Sequence, residues 1–122
     1  MMIEIAGVDG RTYRTEGCYV PSPPGFEQFL LVAHNTLETH ASGRDPNPDD
    51  WSVTVADIGF RFEDTFPTID EAIANAYKVL RYQGKRKMAQ HHARAVDQLA
   101  KRGIKYPVNE VPKLKEELRW NA

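Results

Sequence analysis

The sequence predicts an α+β domain in which two β-hairpins form a small antiparallel sheet packed by helices on one face, in the order ββαββααα. Three observations predict it. Apolar residues alternate with polar ones around Ile3–Ile5 and Trp51–Val55, the period of a half-buried strand. A proline-rich connector is followed by apolar residues at helical spacing from Phe26 to Ala41. Thr68-Ile69-Asp70-Glu71 has the spacing of a capping box that opens a helix.

The first hairpin joins Ile3 and Ile5, across an Asp9-Gly10 turn, to a second strand that runs from about Arg11 to Val20. Within that strand Gly17 marks a bulge or a change of face. Pro21 to Gly25 (PSPPG) is too rich in proline for a helix or a ladder. Phe26, Phe29, Leu30, Ala33, Leu37 and Ala41 then form one helical stripe that ends at Ser42-Gly43, with Leu31 and Val32 lying off it. Arg44 to Asp50 (RDPNPDD) is expected to be an acidic loop.

A second hairpin follows at about 51–56 and 58–63, because the phase of the apolar residues switches near Asp57-Ile58-Gly59. The capping box opens a helix that buries Ile69, Ala72, Ile73, Ala76, Tyr77 and Leu80 and breaks at Gly84. From about Arg86 to Arg102 a third helix buries Met88, Ala95, Val96 and Leu99, and Gly103-Ile104 is suited to a Schellman ending. Val111-Pro112 starts a short last helix with Leu114 and Leu118 inward and Trp120 near its end.

At 122 residues, 41% apolar and 27% charged, the chain fits one domain (1–122) with enough apolar surface to fold without staples. No apolar run approaches a transmembrane span, and the start of the chain lacks the pattern of a signal peptide. Cys18 is the only cysteine, which suits a reducing, cytoplasmic location. The near-neutral total hides a division of charge. Residues 1–76 hold thirteen acids against four arginines, a net −9, and residues 77–122 hold twelve bases against four acids, a net +8. The C-terminal helices, about 85–122, form a basic subregion.

On the third helix Lys87, His91, Arg94, Gln98 and Lys101 fall within about 80° of one another at 100° per residue. With Arg81, Lys85, Arg86 and Arg102 they form a row of cations about one turn apart, able to meet successive phosphates. The segment from Phe26 to Tyr82 has the helix–strand–strand–helix outline of a double-stranded-RNA module, but its last helix starts with Asp70-Glu71 instead of bases. The helix pair at 69–102 is joined by too short a link for a helix-turn-helix. Asp45, Asp49, Asp50, Asp57, Glu63 and Asp64 cluster near the second hairpin, where carboxylates on a rigid sheet can imitate phosphate spacing. The segment Phe66 to Ile73 after a short aromatic hairpin resembles segments common in small phage and mobile-element proteins, and it implies no function.

Metal and catalytic chemistry find little footing. The acidic loop 45–50 lacks the downstream glutamate of a calcium loop. His34, His40, His91 and His92 lack the convergent spacing zinc needs, and no cofactor motif is present. Cys18 with His34 or His40 is the one conceivable nucleophile–base pair, and a strand cysteine is usually a buried, inert thiol. The expectation is a non-enzymatic binding protein that contacts nucleic acid through Arg81, Lys85, Arg86, Lys87, Arg94, Lys101 and Arg102. The alternative is an inhibitor or adaptor, of the kind phage and mobile elements encode, that offers its acidic surface to a basic protein. Opposed charges and the off-stripe Leu31 and Val32 also suggest a homodimer.

Overall fold

A computed structural model describes residues 2–7, 12–40 and 43–109, with side chains included except at 37–45. The elements are β1 (Met2–Ala6), β2 (Thr12–Val20), β3 (Leu31–His40), β4 (Gly43–Val55), β5 (Phe60–Arg61) and α1 (Ile69–Lys101). The strands form one antiparallel sheet in the order β1-β2-β3-β4-β5, each paired with its neighbour in sequence. The α+β class holds, and the predicted order ββαββααα is corrected to βββββα among the described residues. The Asp9-Gly10 turn and the helix expected from Val111 fall outside the described residues.

The helix predicted over Phe26–Ala41 is instead a tight turn followed by β3. Phe26 and Phe29 are buried in the turn, where backbone bonds run from Phe26 N to Pro23 O and from Phe29 N to Phe26 O. Leu30 to Ala33 is a continuous apolar run, and such a run fits a buried helix or a strand covered on both faces equally well. Tertiary structure chose the strand: β3 lies between β2 and β4, and Leu31, Val32 and Ala33 are completely buried. Leu31 and Ala33 face α1, whereas Leu30 and Val32 pack with Ile3, Ile5 and Ala56 on the opposite side. Leu31 and Val32 are therefore closed to a second copy of the chain, which removes one of the two reasons to expect a homodimer.

Position 17 explains how β1 reaches that opposite side. β2 pairs with β1 through Thr12–Glu16 and with β3 through Gly17–Val20, so it changes partner at the glycine. A Cβ on Gly17 would lie 2.6 Å from Ile3 Cδ1 and 2.8 Å from the Ala33 carbonyl oxygen. Only glycine lets the curled strand approach so closely.

The segment expected as an acidic loop belongs to β4. Its pairing with β3 jumps from Asn35↔Trp51 to Thr36↔Asn47, so residues 48–50 bulge out. The buried Asn35 amide donates to the carbonyls of Pro48 (3.5 Å) and Asp50 (3.2 Å) and holds the bulge. The second hairpin turns at Ala56–Gly59, where the phase switch places it, with Gly59 at φ 68°. Its pairing outlasts the two-residue β5, since Phe62 N donates to Val53 O and Trp51 bridges Phe66.

Thr68 caps α1 by accepting the Glu71 N–H at 3.3 Å, the hydroxyl half of the predicted capping box. The predicted break at Gly84 is a bend within one helical element, with Gly84 at φ 82°, ψ 160° and two helical arms on either side. Ala72, Ala76 and Leu80 from the first arm, and Met88 and Leu99 from the second, are buried against the sheet. The helix ends as the glycine predicts. Gly103 (φ 70°) donates to Ala100 O at 3.1 Å and Ile104 to Leu99 O at 2.9 Å, a Schellman pattern. The chain then returns to the sheet: Val108 N donates to Asp57 O, and the Asn109 amide bonds both backbone groups of Ala6 and the carbonyl of Ala56. No helix among the described residues is long and apolar enough to cross a membrane.

Candidate functional site

Burial of Met88 and Leu99, with Ala95 and Val96 half-buried, turns the opposite side of the second α1 arm outward. Lys87, His91, Arg94, Gln98 and Lys101 are all exposed on it, as are Arg81, Lys85, Arg86 and Arg102. At 1.5 Å per residue Lys87 and Lys101 stand about 21 Å apart along the axis, with Arg94 midway. Among the described residues Lys87 and Arg94 pair with no carboxylate. Lys101 contacts Asp97 at 3.1 Å, but both side chains are more than 60% exposed, and such an i, i+4 pair contributes only about 0.3–0.5 kcal/mol.

Two of the predicted cations stand apart. Arg81 lies on the far side of the Gly84 bend. Lys85 lays its methylene chain over Gly25, in the space a side chain there would occupy. Its ammonium also approaches Glu27, whose carboxyl is held below its ordinary range, first by the Gly25 N–H it accepts at 2.9 Å and last by the Lys85 charge.

The acidic set is not one surface. Asp49 is exposed and Asp50 half-buried at the β4 bulge, where Asp50 accepts from Asn47 Nδ2 at 3.2 Å. Glu63 and Asp64 are exposed between β5 and α1. The Asp45 side chain falls outside the described residues. Asp57 is a correction: only 2% exposed, it belongs to the interior.

Asp57 is instead the buried centre of a polar junction. His92 donates Nε2–H to Asp57 Oδ2 at 2.6 Å, Tyr106 donates its hydroxyl to the same oxygen at 3.0 Å, and Leu30 N reaches Oδ1 at 3.5 Å. A carboxylate can only accept, so the proton of a neutral His92 ring lies on Nε2. Burial raises the Tyr106 hydroxyl above its ordinary value, and the bond to Asp57 and that carboxylate's charge raise it further. The sequence reading missed His92. It recurs with Met88, Ala95, Val96 and Leu99 on the apolar side of the helix, and that phase is the signal that it points inward.

Beside this junction a cavity of about 580 Å³ opens between the sheet and both arms of α1. Val55, Phe62, Val79 and Met88 give it an apolar wall, and the Phe29 and His92 rings, 5.2 Å apart, form one side. Gln83 also lines it, while its Oε1 is turned away from solvent and has no hydrogen-bond partner. The described lining includes no Ser, Thr, Cys, Tyr or Lys. The Asp57 carboxylate orients the His92 imidazole, which lines the cavity, and also holds the Tyr106 hydroxyl.

The candidate Cys18–histidine pair separates. Cys18 is half-buried in β2, and burial raises its thiol above the ordinary range. His34, within the span predicted as a helix, is buried in β3 between Asn35 O (2.8 Å) and Thr54 Oγ1 (2.6 Å). Among the described residues no three His, Cys, Asp or Glu side chains converge as a metal-holding group. Compared with family models, curated proteins and solved structures, the chain matches none of them.

Proposed function

We propose that this chain is a non-enzymatic binding protein that holds the phosphate backbone of nucleic acid against the second arm of α1. The observation that supports this reading is the open row Lys87, Arg94 and Lys101. These cations face solvent, and among the described residues the chain's own acids leave Lys87 and Arg94 unpaired. Arg86 and Arg102 extend the row at its ends, while Lys85 is partly committed to the proline-rich turn and Arg81 belongs to the other arm. Contacts of this kind carry little sequence information and are strongly salt-dependent. The lone, half-buried Cys18 agrees with a reducing, cytoplasmic setting.

The test is fluorescence anisotropy with random-sequence duplex and single strands across a salt titration. Binding is expected at low ionic strength and should weaken steeply with salt. Lys87→Glu with Arg94→Glu should abolish it, and each single neutralisation should flatten the log–log salt slope by about 1. No affinity at low salt would overturn the proposal. A different result points to the alternative, an acidic surface offered to a basic protein. There the lysine and arginine reversals are harmless and Asp49→Lys with Asp50→Lys removes activity. That alternative now rests on Asp45, Asp49, Asp50, Glu63 and Asp64, without Asp57.

A further inference from the structure

We infer that the open cleft between the sheet and the two arms of α1 receives an unpaired base of a single-stranded nucleic acid whose phosphates lie along the neighbouring row of cations. The inference rests on the nucleic-acid reading above and names the form of nucleic acid that the same surface takes. What joins the two features is His91. It stands in the exposed row one turn from Lys87 on one side and from Arg94 on the other, and it also lines the cleft. Row and cleft therefore share an edge, and a strand laid on the row can turn a base into the opening.

The surfaces around the opening favour a base as the occupant. Phe60 lines the cleft and remains 51% exposed, its ring held edge-to-face against Phe62 with centroids 6.0 Å apart and 82° between the planes. An exposed ring beside a row of cations is the arrangement on which single strands stack, since every base has an apolar face and every nucleotide a phosphate. Val55, Ile58, Val79 and Met88 add hydrocarbon surface behind it. Charge is divided at the same opening. The exposed Glu63 and Asp64 line it from the segment after β5, and the described lining holds no lysine or arginine. Phosphate is thus repelled from the cleft and drawn to α1, which orients a nucleotide with its base inward. A duplex cannot use the cleft in this way, because its bases are already paired and stacked.

Fluorescence anisotropy of the full chain at low salt tests this with three labelled probes of equal length. They are an oligothymidylate, an abasic oligomer with the same phosphates and no bases, and the oligothymidylate paired with its complement. The oligothymidylate should bind about tenfold more tightly than the abasic oligomer, the effect of stacking one base. Phe60→Ala should remove that preference while leaving the abasic and duplex affinities and their salt slopes unchanged, and Phe60→Trp should retain it. Lys87→Glu with Arg94→Glu should abolish binding of all three. Equal affinity of the wild type for the two single strands, or a preference that survives Phe60→Ala in full, would overturn the inference and leave phosphate binding standing. An equal loss for all three probes in a folded Phe60→Ala chain would also overturn it. If no probe binds at low salt, the inference falls together with the reading it rests on. Should Phe60→Ala not fold, Phe60→Leu, which keeps apolar bulk against Phe62, takes its place with the same expectations.

Discussion

His34 shows how a single side chain can carry a pH dependence without belonging to a site. The Asn35 carbonyl can only accept, so Nδ1 donates to it and Nε2 takes the Thr54 hydroxyl proton, which fits a neutral ring. Burial lowers the His34 pKa below its ordinary 6.5, the Asn35 bond partly opposes this, and the charge of Arg61 lowers it slightly more. The folded chain thus resists a proton that the unfolded chain accepts. Stability from this group is complete above pH 6.5 and is lost as the pH falls below it, by about 1.4 kcal/mol per pH unit until the depressed folded value is reached. Urea denaturation at stepped pH should show this slope in the wild type, and His34→Gln should flatten it. An identical slope in the variant would refute the assignment. This role was not legible in the sequence, because position 34 falls within the helix predicted over Phe26–Ala41, and only the pairing of β3 between β2 and β4 buries it.

At the level of elements, helix ends and glycines were legible and the central strand was not. The Thr68 cap, the Gly84 interruption and the Gly103-Ile104 ending are each decided within a few residues, by local hydrogen bonds and by φ values that favour glycine. Gly84→Ala tests the interruption. A Cβ there meets nothing within 4 Å, so the cost is purely conformational. The substitution should destabilise by about 1–2 kcal/mol in a urea or thermal unfolding series. β3 could not be read in the same way, since the run Leu30 to Ala33 satisfies both periods and only its neighbours decide between them. The proline-rich turn before it ends with Phe29, which fits a hydrophobic turn as well as a helical stripe.

Across the whole molecule, Asp57 connects parts of the chain that are far apart in sequence. It sits in the β4–β5 turn and is joined to Leu30 before β3, to His92 on α1 and to Tyr106 in the returning tail. Asp57→Ala would leave His92 and the Leu30 amide without that acceptor, and the expected loss is about 2–3 kcal/mol, measured as a lower urea midpoint at unchanged slope. A change below about 0.5 kcal/mol would show that the junction is incidental. The charge division is also a property of the whole chain. By itself the sequence determined the α+β class, the first hairpin's pairing, the second hairpin's turn, the capped and interrupted helix and the outward row of cations. All of these depend on local periodicity, on glycine's backbone freedom or on the phase of a helix. Tertiary structure alone decided that Leu31–His40 is the sheet's central strand, that Asp57 and His92 meet inside, and that a cavity opens over the sheet. The physical reason is that an apolar run or a carboxylate carries no mark of what will cover it: burial is conferred by residues tens of positions away.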